Sequence, residues 1–477
     1  MSLLTENKQR VTESMERIAE KRDRYIRRNL YYYKNLVRFF RFNIPEGSRV
    51  LEIGCGTGYV LNALKPSAGM GIDLSPSMIR IAGEKYPRLN FEVMDAEQLS
   101  IRETYDFVVI SDTLGYLEDI QTAFSELKKV VHPGSRILIS YHSFLWEPLM
   151  WFAQKIGLKM PHPRLNWLNR GDVINLLQVE GFDVVKSGKR FLFPVYIPLI
   201  SWFFNKYIAY LPLFNSLCLT GYIVARLPQL RPHNNSDFSV SVIIPARNEK
   251  GNIEEAVIRT PEMGSHTEII FVEGNSTDGT LDEIKRVCEA YNGKRDVKFL
   301  VQEGKGKGDA VRKGYDHAKG DILMILDADL TVPPEDLPKF YNALATGRGE
   351  FINGTRLVYP MEEEAMRTLN MMGNKFFSVM FSWLLGQRIK DTLCGTKVMT
   401  AENYRKLAAN RSYFGNFDPF GDFDLIFGSS KLNLKLLEVP IRYRARKYGD
   451  TNISRFRHGW LLIRMVAYAL NKIKFID

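Results

Sequence analysis

Two doubly wound α/β domains in series are predicted by three observations. Short β-branched runs alternate with segments of helical period from Arg49 to Leu227, a polar stretch with two prolines and no periodicity follows, and the alternation restarts at Val240. At 477 residues the chain exceeds one ordinary hydrophobic core, so each series has to bury its own. With 45% hydrophobic and 25% charged residues the composition is globular, which excludes a disordered, collagenous or fibrous chain. The four cysteines, Cys55, Cys218, Cys288 and Cys394, make neither a zinc spacing nor a disulfide framework and suit a reducing compartment.

Residues 1–45 read as an amphipathic helical lead-in with Leu30 to Tyr33, Leu36 and Val37 on its apolar face. Its mixed charge carries no signal-peptide pattern. The first domain is expected over 46–227, with strands at Val50 to Ile53, Gly69 to Ile72, Asn90 to Val93, Tyr105 to Ile110 and Arg136 to Ser140. A linker is expected at 228–237. The second domain, 238–458, should begin with strands at Val240 to Ile244, Glu268 to Val272, Lys298 to Val301 and Asp321 to Leu326. Residues 459–477 read as an amphipathic helix on a membrane surface.

The formal charge of +11 is concentrated at the end of the chain. From Lys431 to Asp477, eleven Lys and Arg face three acids. The apolar run Trp460 to Leu470, flanked by cations, fits a phospholipid surface better than nucleic acid. Arg464 and Lys472 interrupt it, so it is expected to lie on a bilayer rather than cross it. The aromatic, proline-interrupted stretch Phe191 to Phe214 fits either the headgroup layer or packing against the protein.

In the first domain, Glu52-Ile-Gly54-Cys-Gly56-Thr-Gly58 follows a strand and precedes a helical run, so backbone N–H groups can approach a ligand at a helix start. Asp73, ending the next strand, suits ribose hydroxyls, and Asp95 after the third suits an adenine edge. The segment 45–227 resembles class I S-adenosylmethionine-dependent methyltransferases, a Rossmann-like fold. That resemblance implies a seven-stranded sheet with a reversed last hairpin, a cofactor site at Glu52, Gly54, Gly56, Gly58 and Asp73, and adenine at Asp95-Ala96. Tyr116, Tyr141 and His142 fall where acceptor-facing residues lie in that family. A lone His after a strand is more often a loop residue, and His142 is given no role.

In the second domain, Pro245-Ala-Arg-Asn-Glu249, Glu273 to Thr280 and Asp327-Ala-Asp329 each follow a strand and share one crevice. Two carboxylates one residue apart can share a hard cation, Mg²⁺ or Mn²⁺, with a diphosphate. These segments resemble inverting GT-A glycosyltransferases of the dolichyl-phosphate mannose and glucose synthase branch. The resemblance runs from Val240 to His458. It assigns Pro245, Arg247, Glu249, Glu273, Lys305 and Asp327 to the nucleotide sugar, Asp327 and Asp329 to the metal, and Arg356 and Arg367 to phosphates beside the anomeric carbon. Asp391 to Lys397 resembles an acceptor-side segment, and Lys397, Arg444 and Arg446 are expected to meet the acceptor. Phe376 to Leu385 can face an isoprenoid tail. Arg247 in place of Tyr and Glu273 in place of Asp leave the nucleobase open. Thr331 replaces a Gln found in some members, and Asn452 replaces a Lys near Arg455 and Arg457.

A phosphate monoester is largely dianionic at neutral pH, with a second pKa of about 6, and needs no general base. A polyprenyl phosphate acceptor is therefore expected, on a protein peripheral to the cytoplasmic face of the membrane. The competing readings are a glycan hydroxyl acceptor with Asp424 as base, and a first domain that binds without catalysing.

Overall fold

The computed structural model describes residues 5–163, 165–232, 238–356, 358, 368–413, 421–444, 446, 448 and 463–475. The chain divides into one unit ending at Pro228 and a second running from Gln229 to Lys474. Each contains one seven-stranded sheet.

The first sheet contains β1 (Arg49–Ile53), β2 (Ala68–Asp73), β3 (Asn90–Val93), β4 (Tyr105–Ser111), β5 (Val131–His142), β6 (Asp183–Arg190) and β7 (Thr220–Arg226). Their order is β3-β2-β1-β4-β5-β7-β6, with β7 antiparallel to both neighbours and the first five strands parallel. Buried apolar residues on both faces, such as Leu51 and Ile110 on one and Val50 and Val109 on the other, explain the unbroken apolar runs of the central strands. The lead-in forms helices Glu6–Ile18, Arg22–Arg28 and Leu30–Asn43. The last of these buries Leu36, Val37, Phe39 and Phe40 beside Val50 and Leu138. Each such side chain contributes roughly 1.5–3 kcal/mol by leaving water.

The second sheet contains β8 (Ser239–Ala246), β9 (His266–Glu273), β10 (Asp296–Val301), β11 (Ile322–Ile325), β12 (Phe351–Thr355), β13 (Lys397–Thr400) and β14 (Leu436–Pro440). The order is β10-β9-β8-β11-β13-β12-β14, with β13 antiparallel to β11 and β12. The order reverses at β8, so the loops after β8, β9 and β11 open at one switch point.

Among the described residues no helix is long and apolar enough to cross a membrane. The membrane-surface expectation for 459–477 is corrected for its described part. Met465, Val466, Ala469 and Ile473 are buried in the second unit's core, so these side chains are unavailable to lipid. Residues 459–462 lie outside the described residues, as do Arg367, Asn452, Arg455 and Arg457. The isoprenoid-facing expectation for Phe376 to Leu385 is corrected for Phe377, Phe381, Leu384 and Leu385, which are core residues, while Phe376 and Val379 are exposed.

Candidate active sites

In the first unit, β1 runs into the glycine-rich turn and then helix Tyr59–Leu64. Gly54 and Gly58 allow close packing, since a Cβ would lie 2.3 Å from Thr113 or 2.8 Å from Phe91. Gly56 differs. Its φ is +52° and a Cβ there would meet only Arg22 Nε, at 3.7 Å, so although the residue is buried, it is the glycine of this turn with free space beside its Cα. Asp73 receives N–H groups from Gly56 (2.9 Å) and Ser75 (3.0 Å), and burial raises its pKa against those two bonds. This turn, with an acid at the end of the next strand, fits an adenosine-bearing cofactor.

Glu52 requires a correction. It is buried, and its Oε2 accepts the Leu61 N–H at 2.9 Å. It therefore braces the helix start, and burial pushes its carboxyl up to about 8 despite that hydrogen bond. Asp95 accepts from Glu97 N–H and pairs with Lys8 at 2.6 Å, while neighbouring Ala96 is buried. Lys8 also reaches Glu97 at 2.8 Å, and Glu16 binds Ser75 and Ser77. The lead-in thus roofs the crevice, which nothing in its local pattern announces. Tyr116, Tyr141 and His142 lie around the ends of β4 and β5, where Asp112 also sits.

In the second unit, the three strand-end loops carry acids as expected, and Glu249, Asp327 and Asp329 are each paired with a cation. Lys307 pairs with Asp327 at 2.5 Å. Arg446 bridges Glu249 (3.0 Å) and Asp329 (2.7 Å). Burial alone would raise the Asp327 pKa, but Lys307, with Lys397 and Arg356 nearby, holds it below the ordinary value. Burial raises the Glu249 carboxyl although Arg446 opposes it. Gly395 is needed against this cluster, because a Cβ there would lie 1.9 Å from Asp327 Oδ2 and 2.5 Å from Lys307 Nζ.

Several assignments move. Lys305 is exposed, and Lys307, the first residue of helix Lys307–His317, is the lysine that reaches Asp327. Lys397 is fully buried, donates to the Cys394 carbonyl and pairs with Asp422 at 3.0 Å, so it is not presented to an acceptor. Arg446 belongs to the acid cluster rather than an acceptor surface, whereas Arg444 is exposed. Arg356 grips buried Asp391 through Nε (2.7 Å) and Nη2 (2.8 Å). Asp424 is paired with Arg411 at 3.1 Å and lies 3.9 Å from Arg312, so its Oδ2 is engaged by cations rather than presented to an acceptor. Glu273 accepts Ser276 N–H at 2.6 Å and shapes its own loop, Arg247 is exposed and Pro245 is partly buried. The hydroxyls of Thr355, Thr392 and Thr396 are buried without hydrogen-bond partners among the described residues, leaving bonding capacity for a polar ligand.

Asp327 and Asp329 supply the hard oxygen donors that Mg²⁺ or Mn²⁺ prefers. Among the described residues no group of three or more His, Cys, Asp or Glu gathers, and Asp327 and Asp329 are the residues that would hold the ion.

Comparison with known proteins matches residues 241–409 to the family model for glycosyl transferase family 2 and residues 20–187 to that for a methyltransferase domain. Glycosyltransferase AglJ of Haloferax volcanii is 29% identical over 226 residues, 47% of this chain and 69% of that protein. The dolichol-phosphate mannosyltransferase of Saccharomyces cerevisiae is 41% identical over 111 residues, 22% of this chain and 40% of that protein. The chain therefore spans less than half the length of the latter relative. A solved S-adenosylmethionine-dependent methyltransferase from Thermotoga maritima is 18% identical, with 45% of this chain and 99% of that chain covered and a TM-score of 0.36. The chain thus joins a methyltransferase domain, over residues 20–187, to a family 2 glycosyl transferase domain, over residues 241–409.

Proposed function

We propose that the second domain transfers a sugar from a nucleoside diphosphate to a polyprenyl phosphate with inversion, and that the first domain uses S-adenosylmethionine to methylate a product of the same glycolipid pathway. The observation that carries the glycosyl transfer reading is the pair of strand-end aspartates, each balanced by a cation, Lys307 on Asp327 and Arg446 on Asp329. The relative named as a dolichol-phosphate mannosyltransferase supports a polyprenyl phosphate acceptor.

Bound at Asp327 and Asp329, Mg²⁺ or Mn²⁺ would supply charge stabilisation for the leaving diphosphate. Lys307 and Arg446 can release their carboxylates toward that ion and turn their own charge onto the phosphates. Arg356 keeps Nη1 free of any hydrogen bond among the described residues, so it can orient a phosphate while Asp391 fixes its fork. In-line attack by an acceptor phosphate oxygen inverts the anomeric carbon and needs no base. The pairing of Asp424 with Arg411 favours this acceptor over a hydroxyl.

A lipid substrate calls for a place to dock, and the first domain offers one. Helix Glu147–Lys155 buries none of its residues and exposes Leu149, Trp151 and Phe152. Trp146 Nε1 donates to Leu217 O at 2.8 Å, tying this segment to a second exposed apolar stretch that includes Leu199, Trp202 and Leu213. Lys155 lies 3.6 Å over the Trp151 ring and Lys206 5.3 Å over Trp202, an arrangement suited to anionic headgroups. The protein is then peripheral, on the cytoplasmic leaflet.

The decisive experiment incubates purified protein with a panel of nucleotide sugars and short polyprenyl phosphates and detects lipid-linked product by mass. Asp327→Ala is expected to abolish that product and leave S-adenosylmethionine binding intact. Normal turnover by a folded Asp327→Ala protein would reject the site.

A further inference from the structure

Beyond the ends of β4 and β5, polar side chains from four segments converge in the first domain. Asp112 follows β4 at φ +54°, a left-handed conformation unusual for a residue other than glycine. Its Oδ2 accepts the Tyr32 hydroxyl at 2.5 Å and its Oδ1 accepts the Ser140 hydroxyl at 2.8 Å. His142, the last residue of β5, places Nδ1 3.9 Å from Asp112 Oδ1, and the Tyr32 ring stands edge-on to it with centroids 5.8 Å apart. The loop after helix Glu147–Lys155 returns Lys159 and His162 to the same place.

Three nitrogens here, His142 Nδ1, Lys159 Nζ and His162 Nε2, are buried without a hydrogen-bond partner among the described residues. Orphaned buried donors and acceptors are costly and rare, so a cluster of them marks a site that a ligand completes. The charges divide the work. Burial lowers His142 to about 4, with Asp112 opposing and Lys159 and His162 reinforcing the shift. Burial likewise lowers Lys159 to about 8, so near neutrality the imidazole is unprotonated while most of the ammonium keeps its charge. Burial also lowers His162, and Arg22 stands behind Met160, its Nη1 3.3 Å from the sulfur.

We propose that this pocket is the methyl-acceptor site, that it takes a hydroxyl on a molecule bearing a neighbouring oxyanion, and that His142 removes the hydroxyl proton. The proposal rests on the methyltransferase reading above. The acceptor oxygen bonds the methyl carbon as the carbon–sulfur bond of the sulfonium breaks. That bond's electron pair passes to sulfur, which leaves as a neutral thioether, and the acceptor proton moves to His142 Nε2, the nitrogen on the far side of the ring from Asp112. Lys159 holds the oxyanion, while His162, whose Nδ1–H donates to the Pro163 carbonyl at 2.8 Å, presents Nε2 as an acceptor for a neighbouring hydroxyl of the ligand.

The test uses full-length wild type, His142→Gln and Lys159→Met. Calorimetric titration with S-adenosylhomocysteine comes first. No binding by wild type rejects the methyltransferase reading, whereas binding leaves the present proposal to be judged by itself. Glucose, glucuronate and glucose 6-phosphate are then titrated into the loaded protein and incubated with methyl-labelled S-adenosylmethionine. At least one anion is expected to bind ~10-fold or more tightly than glucose, and Lys159→Met to erase that preference; the two anions separate carboxylate from phosphate recognition. His142→Gln is expected to retain cofactor affinity and lose methyl transfer by ~100-fold or more, with the wild-type label found as an ether. The His142 ring proton, assigned by its loss in His142→Gln, is expected to titrate near pH 4 and to move upward in Lys159→Met. Failure of wild type to prefer either anion, label recovered as an ester, full turnover by His142→Gln, or an ordinary His142 titration near 6.5 each overturns the proposal.

Discussion

Glu52 titrates in opposite surroundings in the two states of the chain. Its folded pKa is about 8 against an ordinary value of 4.5, so between those pH values the folded protein holds a proton that the unfolded chain has released. Stability from this group is therefore full below pH 4.5 and declines as pH rises toward 8. Glu52→Gln keeps an oxygen for the Leu61 N–H and cannot ionise. Urea melts at pH 5, 6.5 and 8 are expected to show a flatter profile than wild type, with a gain of about 4 kcal/mol near pH 8. Asp424→Asn tests the acceptor: turnover within tenfold of wild type fits a phosphate, whereas a loss of ~100-fold or more marks a general base. The strand-end acids were legible because each follows a buried apolar run. Which lysine meets Asp327 was not, since Lys305 and Lys307 differ only in which one opens a helix. Lys397 looked like an acceptor residue for a similar reason: its partner Asp422 lies on a different segment, and only the fold brings them to 3.0 Å.

Among elements, the loop from Asp391 to Lys397 has little room beside the acid cluster. Gly395→Ala would drive a methyl group into the Asp327–Lys307 pair, and sugar transfer is expected to fall at least ~100-fold while S-adenosylhomocysteine binding is unchanged, as read by product mass and calorimetry. The helix Glu147–Lys155 carries the docking prediction. Trp151→Ala with Phe152→Ala is expected to weaken co-sedimentation with anionic vesicles by ~10-fold or more, and equal sedimentation would remove this helix from the membrane reading. The strand runs of both sheets were readable from their composition, because parallel strands buried on two faces need continuous apolar sequence. The lead-in's roof was not, because its contacts to Asp95, Ser75 and Ser77 join residues about sixty to ninety positions apart that no local periodicity connects.

For the whole molecule, two sheets with separate cores predict two melting events. S-adenosylhomocysteine at about 100 times its Kd adds about 2.7 kcal/mol to the domain that binds it, or roughly 5–10 °C, and calorimetry is expected to show one transition rising while the other stays. A single transition that moves as a unit would mean that the two domains unfold together. The two-domain plan was the most legible level of all, since each series of strands carries its own glycine- or acid-bearing turns at strand ends. The exposed Trp151 and Phe152 have a kinetic corollary. An enzyme held at a bilayer meets its substrate in two dimensions, so velocity should follow the mole fraction of acceptor in the vesicle rather than its molarity. Diluting that acceptor with inert phospholipid at constant total amount would then slow turnover.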